Sequence, residues 1–508
     1  MARRAAYDYV VVGGGFAGLN AVSGLQKFRP AASILCIDKH DAAGGSWNDY
    51  YSFCKLHAPH PTFGIAGHGW PGLASPNLLA TRDEVLRHFR SFAADAPNLE
   101  FLGGASYEGC ARAPDGALVA TLGDGSSVAA REQIIRATGY DYERHMPFCQ
   151  RPAAVTSFGR VRPGKRWSLG RPAHLDEISD GSAEEVECAN LPAAVAARGE
   201  ETLYVVVGGG KTGADAVCFL GEHRRRGDDV LLVTGSSKGF FVRDEVFPDQ
   251  GSQSVFQPMI TEVMLDMIAA WDGTDASERD ILNDMVARGT LCSLGGSEVA
   301  NTGLGVLSRA EQAAVEATAE IVANDHYVGV SARGATTEVR LASGGAVVTR
   351  KRVVVVNARS SGSDRVHAYN SDVHPLRPEG HLDFGALAGF TGHTNYLFSA
   401  VLAKHGSHRV LEDLALYGRR TRARPRENFV FAYLVKVYAN ITSLMPALEM
   451  KHYLSSDYSI NATRWYPTAR RLYGVYRLLQ SRGGVAAMAD AHLRRLEPGD
   501  AQPPPEGA

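Results

Sequence analysis

Two short stretches carry the first chemical signal. GGGFAG places glycines at Gly13, Gly15 and Gly18, and GGGKTG repeats the spacing at Gly208, Gly210 and Gly213. In a G-x-G-x-x-G turn the first glycine permits the tight bend, the second lets the backbone approach a pyrophosphate, and the third lets helix and strand pack closely. The helix that follows directs free N–H groups and the positive end of its dipole at the anion. Phe16 and Ala17 fill the open positions of the first turn, Lys211 and Thr212 those of the second, and all four join the candidate contacts. About 20 residues beyond Gly18 the segment ILCID ends in Asp38, where a carboxylate can accept from ribose hydroxyls, and Lys39 follows.

The second turn has no such acid. VTGSSKG offers Thr234, Ser236, Ser237 and Lys238 instead, hydroxyls and a cation that suit a 2′-phosphate. NADPH is therefore expected at the second turn in preference to NADH. The natural companion at the first is FAD, because a flavin accepts a hydride and passes electrons on singly or in pairs. The onward route is narrowed by the cysteines: Cys36, Cys54, Cys110, Cys149, Cys188, Cys218 and Cys292 form neither C-x-x-C nor C-x-x-x-x-C. Disulfide reduction is disfavoured, leaving dioxygen or an external acceptor. The 17 histidines include no H-x-x-x-H or H-E-x-x-H, so no metal is expected.

These residues need a frame. Residues 8–12 read as a strand, 13–15 as the turn, 16–28 as a helix and 33–37 as the next strand, a βαβ opening that predicts a parallel sheet. Residues 81–94 read as a helix with Thr81 as N-cap. Residues 118–122 and 127–130 form a hairpin around Asp124-Gly125 and lead into a strand at 133–136. A Pro/Gly/Arg-rich connection follows over 147–172, with further loop to Glu200. The second βαβ begins at Leu203, with its next strand at 230–233. Helical spacing covers 256–288 and 309–323, strands return at 338–341 and 347–356, and the chain from Leu402 is mostly helical. QPPPEGA at the end reads as a disordered tail.

The expected fold is α/β, with two Rossmann-like dinucleotide-binding domains in three layers, helical insertions and a helical C-terminal segment. The boundaries are expected as follows: 1–164 the first part of the FAD domain, 165–360 the NADPH domain with its insertion, 361–425 the returning part of the FAD domain, 426–500 the helical segment and 501–508 the tail.

At 508 residues, Lys+Arg 53 against Asp+Glu 55 leaves a formal charge of -2, which signals neither nucleic acid nor an anionic membrane surface. Scattered, odd-numbered cysteines favour reduced thiols and a cytoplasmic setting. The apolar run inside MARRAAYDYVVVGGG is too short for a signal-peptide core and reads as the first strand. Residues 428–450, interrupted by Lys436, Asn440 and Pro446, read as an amphipathic helix with no stable membrane insertion.

Further motifs fall in order around the turns. Gly44-Gly45-Ser46-Trp47 follows the acid strand, Tyr51 and Lys55-Leu56-His57 come next, and Ala137-Thr138-Gly139-Tyr140 ends the first unit. Together these resemble the two-dinucleotide-domain, single-component (class B) flavin monooxygenases, which include flavin-containing, Baeyer–Villiger and N-hydroxylating enzymes. The resemblance covers roughly the first 240 residues. Residues 240–247, FFVRDEVF, and 300–308, ANTGLGVLS, are similar to segments of ornithine-type N-hydroxylases. The linker motif F-x-G-x-x-x-H of the family is missing between Gly139 and Val205, and the second crossing reads Val356-Asn357-Ala358-Arg359-Ser360 where A-T-G would recur.

The resemblance implies an FAD- and NADPH-dependent monooxygenase that uses dioxygen, forms a C4a-(hydro)peroxyflavin and oxygenates a small-molecule substrate at nitrogen or another heteroatom. Baeyer–Villiger oxygenation of a carbonyl, and electron transfer to an external acceptor without oxygenation, are the alternatives. A homo-oligomer is compatible with either. The resemblance implies that Gly45, Ser46, Trp47, Ala137, Thr138 and Gly139 line the flavin, with core packing the plainer reading of Trp47. His57 and His60 are the candidate catalytic hydrogen-bond donors, each with a structural-loop alternative. Asn301 is the candidate for holding NADP⁺ over the flavin, Arg243 for its phosphates, and His393 and Asn395 for closing the flavin face.

Overall fold

The structure, a computed structural model, describes residues 4, 6–73, 79–138, 182–197, 199–247, 258–272, 276–359, 376–384, 391–407, 419–421, 429–444, 447–448 and 466–495. Gly139, the connection over 147–172, the domain boundaries at 164, 360 and 425 and the tail at 501–508 lie outside these residues.

Strand β1 (Ala6–Val12) leads through the first glycine turn into α1 (Phe16–Phe28) and then β2 (Ile34–Ile37). Val10, Val11 and all of β2 are buried, the continuous apolar run of a parallel strand covered on both faces. Helix α2 (Arg82–Asp95) begins at Thr81, whose hydroxyl accepts from the Glu84 N–H while the Glu84 carboxylate accepts from the Thr81 N–H, a complete capping box. It leads to β3 (Leu99–Leu102). An antiparallel meander, β4 (Tyr107–Arg112), β5 (Leu118–Leu122) and β6 (Ser127–Arg136), brings the chain back beside β1. The expected break between hairpin and following strand is absent, since β6 runs unbroken through 131–132.

The second unit repeats this plan. Strand β7 (Glu184–Glu187) precedes β8 (Thr202–Val207), the second glycine turn, the helix Lys211–His223 and β9 (Asp229–Val233). A small sheet of β10 (Lys238–Val242), β11 (Leu291–Cys292) and β12 (Asn301–Leu307) follows. Strand β13 (Glu320–Val322) then pairs with β9. A separate antiparallel meander, β14 (Tyr327–Arg333), β15 (Thr336–Leu341) and β16 (Ala346–Thr349), leads to β17 (Arg352–Asn357) beside β8. The main sheet has the order β13-β9-β8-β17-β7, parallel throughout. The chain then returns to the first sheet as β18 (Leu382–Asp383), parallel to β6, so that sheet reads β3-β2-β1-β6-β5-β4 with β18 also on β6.

Three expectations change. The helical run over 256–288 is two helices, Ile260–Asp272 and Glu278–Ala287, the second started by a Ser277 capping box. The run over 309–323 ends as a helix at Thr318; Ala319 turns extended and Ile321 takes its place opposite Leu232 on the edge of the sheet. The strand expected over 347–356 is split between β16 and β17, which lie in different sheets.

The returning helix Thr391–His405 lies along α1, so closely that a Cβ on Gly24 would overlap the Tyr396 carbonyl oxygen. The expected amphipathic helix near 428–450 is Phe429–Leu444, and its described side chains are almost all buried: Leu434, Val435, Val437 and Tyr438 each show no exposure. A helix apolar on every side belongs in a core. This one packs against Ile260–Asp272, with Phe431 stacked on Trp271, and against Thr468–His492. No helix among the described residues is long and apolar enough to cross a membrane.

Candidate functional site

The first turn is built as its spacing predicts. Gly13 has φ +113°, and a Cβ there would come within 2.7 Å of the Ala137 carbonyl oxygen; one on Gly18 would overlap the Gly13 carbonyl. Gly15 is the N-cap of α1, followed by Phe16, Ala17 and Gly18 in its first turn. The Gly14 N–H donates to Asp38 Oδ2 at 2.5 Å. The loop carrying Gly45, Ser46 and Trp47 is a short 3-10 helix, Gly45–Asn48, laid directly on the turn: the Gly44 N–H donates to the Gly14 carbonyl, and a Cβ on Gly45 would meet Gly15 Cα at 2.7 Å. Trp47 is buried against Tyr50 and Phe63, and Phe63 stacks on Phe16 with centroids 4.0 Å apart.

Asp38 has a partner that sequence reading overlooked. His40 Nδ1 lies 2.9 Å from Asp38 Oδ1, and His40 Nε2 lies 3.0 Å from Asp49 Oδ2. Hydrogen bonds to Asp38 and then Asp49 outweigh burial and raise the imidazole to about 9, so it is charged at neutral pH. The signal was present, since DKHD and Asp49 flank the glycine–tryptophan loop. Lys39 between them is exposed.

The second turn is a close copy. Gly208 has φ +128°, and a Cβ there would come within 2.6 Å of the Ala358 carbonyl oxygen; one on Gly213 would overlap the Gly208 carbonyl. Gly210 caps the helix, with open space where its Cβ would stand. Ala358 thus does for Gly208 what Ala137 does for Gly13. Their N–H groups donate to the equivalent strand ends, Val207 at 2.9 Å and Val12 at 2.8 Å. The altered crossing sequence keeps the structural role of A-T-G.

At the end of β9 the residues expected to meet a 2′-phosphate separate. Ser237 is buried, with its hydroxyl in a chain with Thr234 at 3.2 Å and Ser297 at 2.9 Å, and its N–H donates to Asn324. That hydroxyl braces the loop. Ser236 and Lys238 remain half-buried at its rim. Asn301 stands opposite Lys238 in the parallel register of β10 and β12. The nicotinamide and the 2′-phosphate are opposite ends of NADPH, so these neighbours cannot take one each, contrary to the expectation from sequence.

The two units meet around His57. Arg243 Nε donates to the His57 carbonyl at 2.9 Å, and the Val306 N–H donates to His57 Nδ1 at 3.1 Å. The Tyr51 hydroxyl donates to Asp215 Oδ2 at 2.8 Å. Lys211 folds along its own helix to pair with Asp215, with Glu311 Oε1 at 3.4 Å, and Arg243 Nη2 binds Glu311 Oε2 at 2.6 Å. Lys211 and Arg243, expected at phosphates, are spent on this interface. Burial, reinforced by the Lys211 and Arg243 charges, pushes His57 down to about 4 and leaves it neutral. Burial raises the Asp215 carboxyl; Glu311 is lowered because its two cations and Ser308 outweigh its burial.

His60 goes elsewhere. It is buried at the start of the 3-10 helix His60–Thr62, edge-on to Trp70, which stacks on His88. That is loop packing within the first unit. His393, on the returning helix, touches the Phe16 ring edge-on and bonds the Thr62 carbonyl at 3.2 Å, so it does reach the first turn. Asn395 is buried two residues further along the same helix, and Thr138 is half-buried beyond Ala137.

Comparison with known proteins agrees with the turn chemistry. Residues 11–84 match the NAD(P)-binding Rossmann-like domain family. Uncharacterised proteins of Mycobacterium bovis and Mycobacterium tuberculosis are 26% identical over 234 residues, 42% of this chain. The match spans 35% of the length of those relatives. Among solved structures, cyclohexanone monooxygenase of Rhodococcus sp. Phi1 is similar with a TM-score of 0.45 at 14% identity, covering 97% of this chain and 99% of that one. Ornithine N-hydroxylase of Kutzneria sp. 744 is similar at 0.42 and 15% identity, covering 70% and 81%. A flavin-containing monooxygenase of Stenotrophomonas maltophilia gives 0.39 and 16%, covering 75% and 85%.

Proposed function

We propose that this protein is an FAD- and NADPH-dependent monooxygenase that oxygenates a small molecule at nitrogen or another heteroatom. The carrying observation is the pairing of two glycine turns of the same build, one with an acid at the position a ribose would take and one without, joined across an interface that includes His57. The residues fit the groups. Gly13, Gly15 and Gly18 leave a backbone cradle at the N-terminus of α1 for the FAD pyrophosphate, with Asp38 at its ribose end. Gly208, Gly210 and Gly213 leave the corresponding cradle for NADPH, with Ser236 and Lys238 at its 2′-phosphate end.

When bound, the flavin and nicotinamide supply hydride transfer and activation of dioxygen. The chain's own contribution is binding, orientation and exclusion of water. Phe16, Phe63 and Trp47 form an apolar wall beside the first turn, closed from the far side by His393. His57 contributes a neutral imidazole at the boundary of the units, and Asn301 an amide beside Lys238. His60 is assigned to the loop rather than to the reaction.

Incubation of purified protein with FAD tests the first half: a bound yellow chromophore is expected, and a colourless protein excludes the reading. Stopped-flow mixing of the reduced flavoprotein with oxygenated buffer tests the second. An absorbing species distinct from both oxidised and reduced flavin, lengthened by NADP⁺, supports oxygenation. Direct reoxidation with and without NADP⁺ and amine substrates would instead assign the protein to electron transfer.

A further inference from the structure

His57 is gripped from two directions by the second unit, through its carbonyl by Arg243 and through its ring by Val306. A backbone N–H can only donate, so Nδ1 must accept. A neutral imidazole whose Nδ1 accepts carries its hydrogen on Nε2. Nε2 has no hydrogen-bond partner among the described residues.

Glu311 stands behind this arrangement. Its Oε2 accepts from Arg243 and also from the Ser308 N–H at 2.8 Å, closing the capping box of the helix Arg309–Thr318. Four charged groups of the second unit gather here. Lys211 and Arg243 are cationic, while Asp215 and Glu311 are acidic; Tyr51 of the first unit donates to Asp215. A proton on Nδ1 would break the Val306 bond and add a third cation beside Lys211 and Arg243.

We propose that His57 is a fixed-tautomer hydrogen-bond donor that presents Nε2–H and does not transfer protons, and that Glu311 is the positioning residue that holds it through Arg243. The acceptor is an atom of the cofactor or substrate bound between the units, so this step rests on the monooxygenase reading. The depressed basicity of the ring agrees with it: the donor form persists above about pH 5.

The tautomer is read by long-range ¹⁵N–¹H spectroscopy of the full chain labelled at histidine, with His57→Asn identifying the resonance. Protonated Nε2 and unprotonated Nδ1, unchanged from about pH 5.5 to 8.5, are expected. An Nδ1–H tautomer, or titration above about pH 6, overturns the proposal. Because Gln also serves at the third position of a capping box, Glu311→Gln keeps an acceptor for the Ser308 N–H while removing the charge and the second acceptor oxygen. It should lower Tm less than Glu311→Ala, introduce a second His57 tautomer and lower kcat about tenfold with KM for NADPH within about threefold. Glu311→Ala removes the Glu311 half of the cap as well as the charge and should lower Tm further. An unaltered His57 spectrum and kcat in Glu311→Gln overturn the positioning role. pH–rate profiles of the wild type and His57→Asn should share one shape, the variant lying lower; an inflection lost in the variant would mark proton transfer and overturn the donor-only role. If the wild type never reduces flavin with NADPH the functional reading fails, and the spectra still decide the tautomer.

Discussion

The two glycine turns share their backbone hydrogen bonds to within a few tenths of an ångström and differ in what packs on them: the Gly44–Gly45 loop covers Gly15 while Gly210 stands open, and the strand-end contact changes. In both, the first glycine N–H donates to the end of the neighbouring strand, Gly13 to Ile37 at 2.7 Å and Gly208 to Val233 at 2.9 Å. In both, the middle glycine packs on the residue that follows that strand. There the chemistry divides: Gly14 donates to the Asp38 side chain, whereas Gly209 donates to the backbone carbonyl of Thr234 at 3.1 Å. The first unit places a buried carboxylate at this position, the ribose end of the proposed FAD site; the second has hydroxyls there and Lys238 half-buried at the rim. Under the proposed function, the shared backbone plan would set where each dinucleotide lies, and the side chain at the end of the strand would distinguish a ribose hydroxyl from a 2′-phosphate.

The largest expected effect breaks one unit at a time. Gly18→Ala forces a methyl group into the Gly13 carbonyl and should yield protein without flavin colour. Gly213→Ala makes the equivalent clash with Gly208 and should leave the colour while abolishing anaerobic bleaching by NADPH; dithionite should still reduce it. If Gly213→Ala also loses flavin, the division of labour is wrong.

A second pair sharpens the strand-end contact. Asp38→Ala removes a charged acceptor and should weaken FAD binding about 10- to 100-fold in equilibrium dialysis, from a loss of about 1.5–3 kcal/mol. Thr234→Ala should change NADPH affinity by less than about threefold, since the Gly209 bond goes to the backbone. Next, Lys238→Ala should weaken NADPH about tenfold and leave NADH nearly untouched, measured as KM for each. Equal losses would remove the phosphate role.

The smallest effect concerns His40, whose imidazole is raised from the ordinary 6.5 to about 9 between Asp38 and Asp49. A folded-state value above the unfolded one stabilises fully below about pH 6.5 and is lost as pH rises through about 9. The Tm difference between wild type and His40→Gln should therefore shrink across that window. A difference that stays constant would show that packing, and not charge, ties His40 to the acids.

How much of this was legible in sequence follows the range of the interactions. The helix over 16–28 and the Thr81 cap were readable to the residue because turn spacing and capping boxes are local rules. Ile321 was misplaced because a helical pattern persists where a vacant edge beside β9 offers a strand partner. The site was legible at its glycines and at Asp38. It was illegible where partners lie far apart: Tyr51 and Asp215 are separated by 164 residues, and Arg243 and His57 by 186. Arg243 and Lys211 were expected at phosphates, and nothing in sequence shows that Glu311 and Asp215 pair with them in the folded chain.

The strand β18 and the helix behind it set an order of assembly. The first glycine turn leaves the ribosome early, yet α1 is covered by a helix that begins at Thr391, and the Arg29 guanidinium bonds the carbonyl of Ala403, 374 residues away. Such distant closures are slow, because loop entropy must be spent before the contact rewards it. The part of the chain synthesised first can thus be completed only after the whole of the second unit has been synthesised. A nascent chain stopped before residue 382 should already hold the second turn in native form while its first turn still waits for its cover.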